Sequence, residues 1–296
     1  MKPRFECLRC LLATRLKEIE KAEISDQKRL ELAREVIQEV LGNFNYEIEL
    51  TEFASILFNN LVSKAPEIID YYLMVKRASN VKALRNLKVH IDYVSKLRGY
   101  DRFKYLVKLS AIANLIDYGV ADHTKIVEEI QPNQVVEYKT SIDDIDKLYE
   151  RVLRGNCKVL WLFDNAGEAV YDMLLIREIR DMGNTVIGLV KDHPGFQNDV
   201  TLRDLEEIES EEGLNAIYTY GCNCSTIHLD HVNEKILEII SEADLIIAKG
   251  MGHFEYLSEI DLNKPICFIL IPKCTPVAEK IGKNSYMLIN VICKFV

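Results

Sequence analysis

The sequence predicts an α/β protein, with a helical N-terminal region packed on a doubly wound, mostly parallel sheet. Three observations predict it. Little in residues 1–150 reads as strand, whereas helix-periodic stretches with capping residues recur there. After about residue 155, short apolar runs alternate with amphipathic stretches, the rhythm of parallel strands joined by crossover helices. Those apolar runs stop at polar residues of complementary chemistry, and ligands of open α/β sheets bind beyond strand ends. The division falls near residue 135, giving a helical region over 1–135 and an α/β domain over 136–296.

In the first region, residues 16–44 are charged and helix-periodic, with Ser25 or Asp26 placed to cap a second helix. Thr51 is placed to cap the helix that runs through LFNNLVSKA, and Pro66 suits the first helical position of PEIIDYYLMVKRASNVKAL. FKYLVKLSAIANLIDYGV is the most apolar helix and therefore central; it embeds Asn114 and Asp117, and Gly119 follows as a stop. The polar stretch 130–150 reads as linker plus a first helix of the α/β part. Strands are predicted over 157–163, 185–190, 215–220, 244–248 and 265–270, with a last one within 285–296.

The strand ends carry the chemistry. CKVLWLF, a nearly unbroken apolar run, stops at Asp164-Asn165 and turns through Ala166-Gly167-Glu168 into an amphipathic helix. The second strand ends at Lys191-Asp192 and leads to a loop containing Asn198 and Asp199. The fourth ends at Lys249-Gly250-Met251-Gly252-His253, and the fifth runs into Lys273-Cys274. Two carboxylates and an amide, Asp164, Asp199 and Asn165, are an oxygen donor set suited to a hard divalent cation. Lys249 and Lys273 are point charges suited to a phosphate, and Gly167, Gly250 and Gly252 let backbone N–H groups approach the same anion. Together these parts describe metal-assisted phosphoryl hydrolysis. The plainer alternative makes Asp164 a cap for the helix after it, and Asp199 or Asn198 a cap for VTLRDLEEI.

Composition excludes several partners. A formal net charge of -9 with interspersed signs argues against a nucleic-acid surface. No apolar run approaches the length of a membrane span, and Glu6 and Arg9 interrupt any signal-peptide core. A cytoplasmic protein with its eight cysteines mostly reduced is the expectation.

With these residues in view, the chain resembles the metal-dependent damage-control phosphatases, long called domain-of-unknown-function 89 proteins, in their stand-alone prokaryotic and archaeal branch. The resemblance spans nearly the whole chain. It is carried by Cys7-Leu-Arg-Cys10, Lys76-Arg-Ala-Ser-Asn80, Ala113-Asn114-Leu-Ile-Asp117-Tyr-Gly119, Asp164-Asn165-Ala-Gly167-Glu168, Asn198-Asp199, Lys249-Gly250 and Lys273-Cys274. It implies a divalent metal (Mg, Mn, Co or Ni) on Asp164, Asn165 and Asp199. It also implies hydrolysis of small phosphorylated metabolites such as sugar phosphates. Catalysis would then rest on Asp164, Asp199 and Lys249, with substrate met by Asn114, Asp117, Glu168, Lys249, Gly250 and Lys273. His253 departs from the pattern, which leads one to expect an amide after the Lys-Gly turn.

Cys7 and Cys10 share a helix face, a spacing used by metal half-sites and redox pairs. Cys222 and Cys224 offer a second half-site for zinc, although CxC is shorter than the usual pattern. Cys274 is the alternative neighbour of the N-terminal pair, and Cys157, Cys267 and Cys293 read as idle thiols in apolar strands. Two other functions are consistent with parts of the pattern: a carboxyl methyltransferase using S-adenosylmethionine, and a non-catalytic metal or redox sensor built on Cys7 and Cys10. The pattern specifies no oligomeric state.

Overall fold

The computed structural model describes residues 1–116, 129–208, 213–282 and 284–295. The chain opens with helices α1 (Phe5–Lys21), α2 (Asp26–Asn43), α3 (Leu50–Lys64), α4 (Glu67–Val94), α5 (Gly99–Ala113) and α6 (Pro132–Glu137). Strands and helices then alternate: β1 (Thr140–Asp143), α7 (Ile145–Leu153), β2 (Lys158–Leu162), α8 (Glu168–Asp181), β3 (Thr185–Val190), α9 (Leu202–Glu207) and β4 (Ala216–Thr219). The series closes with α10 (Glu234–Glu242), β5 (Leu245–Lys249), α11 (Gly250–Leu257), β6 (Ile266–Leu270), α12 (Thr275–Ile281) and β7 (Ile289–Lys294).

The seven strands form one sheet in the order β1-β7-β6-β5-β2-β3-β4. Every pairing is parallel except β6 with β7. The chain steps outward from β2 through β3 and β4, then returns to β5 on the other side of β2. This is the expected doubly wound arrangement, with its order reversing between β2 and β5.

Alternation along β2 explains why the run is apolar throughout. Val159 and Trp161 join the core shared with α5 and α8, while Leu160 and Leu162 join the core beneath α10 and α11. Both faces are covered, so neither face of the strand tolerates polar residues. A third core, formed by α1 to α4, also takes in Phe196 from the loop after β3. Burying a side chain of this size is worth roughly 1.5–3 kcal/mol, enough to tie that loop to the helical layer. Ser225, after β4, is fastened to the same layer: its N–H donates to Ser55 Oγ at 2.9 Å and its hydroxyl to the Thr51 carbonyl at 2.8 Å. The helical layer therefore closes over the carboxyl ends of the strands.

Of the two caps expected for α2, Ser25 is the one used, accepting from Lys28 N–H. Other local expectations are corrected. Glu49, not Thr51, caps α3, because a longer carboxylate reaches the N–H groups of both Thr51 and Glu52. Pro66 is the cap residue itself. The Thr140–Asp143 strand lay in the stretch read as linker; a four-residue edge strand half open to solvent has no apolar run to announce it. Cys267 and Cys293, read as idle thiols, face each other across β6 and β7 and are joined as a disulfide, as are Cys222 and Cys224.

Candidate active site

The site forms where β2 meets β5, at the reversal of strand order, where a crevice opens beyond the strand ends. β2 carries directly into Asp164 and Asn165. The segment after β3 folds back against them: Asn165 and Asp199 form an isolated antiparallel bridge. Ala166 N–H donates to the Asn198 carbonyl at 2.9 Å, and Val200 N–H to the Asp164 carbonyl at 2.8 Å. Backbone pairing thus sets Asp199 beside Asn165. Asp164, Asn165, Asn198 and Asp199 line one cavity of about 170 Å³, with Lys273 on its wall.

Asp164 is oriented from two sides, its Oδ2 accepting from Asn114 Nδ2 and Asn165 Nδ2, each at 2.8 Å. Gly250 makes room for it. At φ +78°, a Cβ on Gly250 would lie 1.9 Å from Asp164 Oδ2, so only glycine fits. Asn165 Oδ1 accepts from Asn198 Nδ2 at 2.9 Å. Neither carboxylate is a helix cap. Gly167 precedes α8, and α9 is opened by a capping box of Thr201 and Asp204.

Behind this wall lies a buried charge cluster. Lys249 Nζ donates to Glu168 Oε1 at 2.6 Å, Asp172 Oδ1 at 2.8 Å and the Ser110 carbonyl at 3.0 Å. Glu168 Oε2 in turn accepts from Asn114 Nδ2 at 3.0 Å and Asn165 Nδ2 at 3.1 Å. Burial works against the Lys249 charge, but Asp172 and Glu168 together hold its pKa above the ordinary value. Asp172 is pushed up to about 6 by burial, with Lys249 opposing the shift.

The predicted residues therefore separate into two shells. Asp164, Asn165, Asp199 and Lys273 reach the cavity; Asn114, Glu168 and Lys249 are fully enclosed behind it. Lys249 was expected to touch phosphate and is instead the internal counterion of Glu168 and Asp172, because the last side chain of β5 points beneath α8. Gly250 acts through the space it leaves. Asp117 and Gly119 lie outside the described residues.

The sequence places Lys191 at a strand end but gives it no role. Its Nζ is 3.4 Å from Asp199 Oδ2 and 4.6 Å from the centre of the Tyr220 ring. Burial lowers its pKa even though Asp199 and Asp164 oppose the shift. Lys76 was quoted only as part of a motif. It donates to Asp204 Oδ2 at 2.7 Å and to the Pro194 carbonyl at 3.0 Å, bracing the loop that carries Asp199. His253 is fully buried. Its Nδ1 lies 2.9 Å from the Lys249 carbonyl, which can only accept, so Nδ1 carries the proton and Nε2 accepts a hydrogen bond from the Tyr220 hydroxyl at 2.6 Å. Burial holds this imidazole neutral, well below its ordinary pKa.

The donor set fits a divalent cation. Among the described residues no cluster of three or more His, Cys, Asp or Glu side chains has metal-binding geometry. Two carboxylates and an amide on bridged segments leave positions for water and substrate oxygens, as Mg²⁺-like ions require. A four-thiolate zinc site is not formed, since Cys222 and Cys224 bond to each other while Cys7 and Cys10 line the cavity near Cys274. No described helix is long and apolar enough to cross a membrane.

The chain and its fold have known counterparts. The damage-control phosphatase ARMT1-like domain matches residues 4–289. A damage-control phosphatase of Archaeoglobus fulgidus is 34% identical over 217 residues, 73% of each chain. One of Pyrococcus horikoshii is 30% identical over 300 residues, covering 100% of this chain and 99% of its own. The crystal structure of a DUF89 family protein from Pyrococcus horikoshii superposes with a TM-score of 0.83 at 27% identity, covering 99% of both chains. With a match running almost from end to end, and the same fold around it, the chain belongs to the ARMT1-like damage-control phosphatase family.

Proposed function

We propose that this protein is a metal-dependent phosphatase that releases inorganic phosphate from small phosphorylated metabolites, sugar phosphates among them. The observation that carries the reading is the bridge between Asn165 and Asp199, which brings Asp164, Asn165 and Asp199 to one cavity. These three residues would hold the cation, of the Mg²⁺, Mn²⁺, Co²⁺ or Ni²⁺ kind. A cation so bound supplies Lewis acidity toward a phosphoryl oxygen and a lowered pKa for water.

The chain's own groups do the rest. Asn114 and Asn165 fix the orientation of Asp164. Lys273 places positive charge on the cavity wall where a phosphate would enter, and the buried Lys191 adds charge from behind Asp199. Lys273 is positioned by donating to the Asn114 carbonyl at 2.8 Å. The enclosed Glu168, Asp172 and Lys249 cluster keeps Asn114 and Asn165 in place and does not itself meet substrate. In the overall reaction, water oxygen bonds to phosphorus, the ester P–O bond breaks, and the alcohol leaves with a proton.

The test is phosphate release from a panel of sugar and cofactor phosphates, with and without each of the four metals, in wild type and Asp164→Ala. Metal-stimulated turnover that falls by at least about a hundredfold in the variant is expected, together with lost metal binding by calorimetry. Metal-independent release that persists unchanged in Asp164→Ala would overturn the reading.

A further inference from the structure

We infer that Glu255 is the specificity-determining residue of the cavity: it accepts a hydroxyl of the leaving group and turns away esters carrying a carboxylate there. The inference rests on the phosphatase reading and adds what recognises the other half of the ester. Helix α11 serves as a ruler. It starts at Gly250, against Asp164, and its contributions to the cavity wall are Met251, Gly252 and Glu255. Met251 and Gly252 lie four and three residues before Glu255, so each neighbours it on the helix surface. At 1.5 Å per residue, Glu255 lies about 7.5 Å along the axis from Gly250. That separation is the length of a short polyol phosphate, so a phosphate seated near Asp164 places its organic end beside Glu255.

The chemistry of this end is that of an acceptor. The Glu255 carboxyl receives no hydrogen bond from the described residues; the Met1 ammonium donates to its backbone carbonyl instead, at 2.9 Å. A carboxyl on a cavity wall without a protein donor takes its hydrogen bonds from whatever fills the cavity. Around it stand Cys7, Cys274 and a second acid, Glu6. The Met1 ammonium and Lys280 favour ionisation of Glu255, and Glu49 opposes them. Arg15 also borders the cavity, on the side of Glu18 and Phe58: its Nη2 is bound to Glu18 at 2.9 Å and its guanidinium lies 5.1 Å from the centre of the Phe58 ring, while its Nε and Nη1 have no partner among the described residues. With Glu255 ionised, a carboxylate of the leaving group placed at this end would meet like charge, whereas a hydroxyl would find an open acceptor.

Glycerol 3-phosphate and 3-phosphoglycerate match in length and differ at the terminal carbon, hydroxymethyl against carboxylate. The experiment is run at about pH 8.5, where Glu255 is ionised, and takes the ratio of kcat/KM for the two within each protein, so a loss of turnover common to both esters cancels. The wild type is expected to favour glycerol 3-phosphate by about tenfold or more, and Glu255→Gln to shrink that ratio by about tenfold. Glu255→Asp keeps the charge and is expected to keep most of the discrimination. A ratio unchanged in Glu255→Gln, or lost equally in both variants, overturns the inference while leaving the phosphatase reading intact. Absence of phosphate release by the wild type from either ester and from p-nitrophenyl phosphate, with every metal, overturns both.

Discussion

Gly250 concentrates the steric demands of the site in one residue. Its positive φ and its closeness to Asp164 Oδ2 are separate obstacles to any side chain. Gly250→Ala is expected to destabilise the fold by more than about 1 kcal/mol and to abolish phosphate release. Denaturant unfolding and a turnover assay check the two effects, and a variant with wild-type turnover would contradict the packing described. Asp164, Asn165 and Asp199 could be picked out in the sequence because each sits at or after the end of an apolar strand. The lysines could not be sorted that way. Lys191 and Lys249 both end buried strands, yet one lies beside Asp199 and the other is sealed between Glu168 and Asp172. Which face a strand's last side chain takes depends on register, and a one-residue slip reverses it.

At the level of elements, α8 is bound to β5 by charge rather than by apolar contact alone. Glu168 and Asp172, four residues apart, share a face of α8 and both accept from Lys249. Lys249→Met would leave two enclosed carboxylates without their counterion, and a loss of about 3–5 kcal/mol is expected in urea unfolding. An equally stable variant would show that the cluster is not ionised as described. Helix α11 yields a pH prediction. Burial, opposed by the Met1 ammonium and aided by Glu49, lifts the Glu255 carboxyl from 4.5 to about 7. A raised carboxyl pKa means that the folded state binds the proton more tightly, so ionisation is destabilising. The penalty is absent below pH 4.5, grows up to about 7 and is full above it. Glu255→Gln should therefore gain thermal stability over wild type as pH rises through that window; a difference independent of pH would refute the assignment. The helices and central strands were legible because their periodicity extends over many residues. The caps were legible only in part: Ser25 caps α2 as its residue type suggests; Thr51 looked the better N-cap of α3, yet Glu49 has the reach.

For the whole molecule, the boundary near residue 135 is crossed by the core. Phe103, Leu106 and Ile112 of α5 belong to the same apolar cluster as Trp161 of β2 and Ile269 of β6. Polar ties cross it too: Asn80 Oδ1 accepts from Gly167 N–H at 2.7 Å, and Arg102 is bound to Glu178 at 2.5 Å. The fragment 136–296 alone would expose one face of its sheet, and it is expected to be aggregation-prone and to bind a hydrophobic dye. A cooperatively unfolding, dye-negative fragment would show that the two regions fold separately. The sheet's borders have a consequence of their own. Both outermost strands, β1 and β4, are only four residues long, so each offers a neighbouring chain a short template of unpaired backbone groups. Removing β1 would bare the longer, apolar flank of β7, and fibril nucleation should begin there.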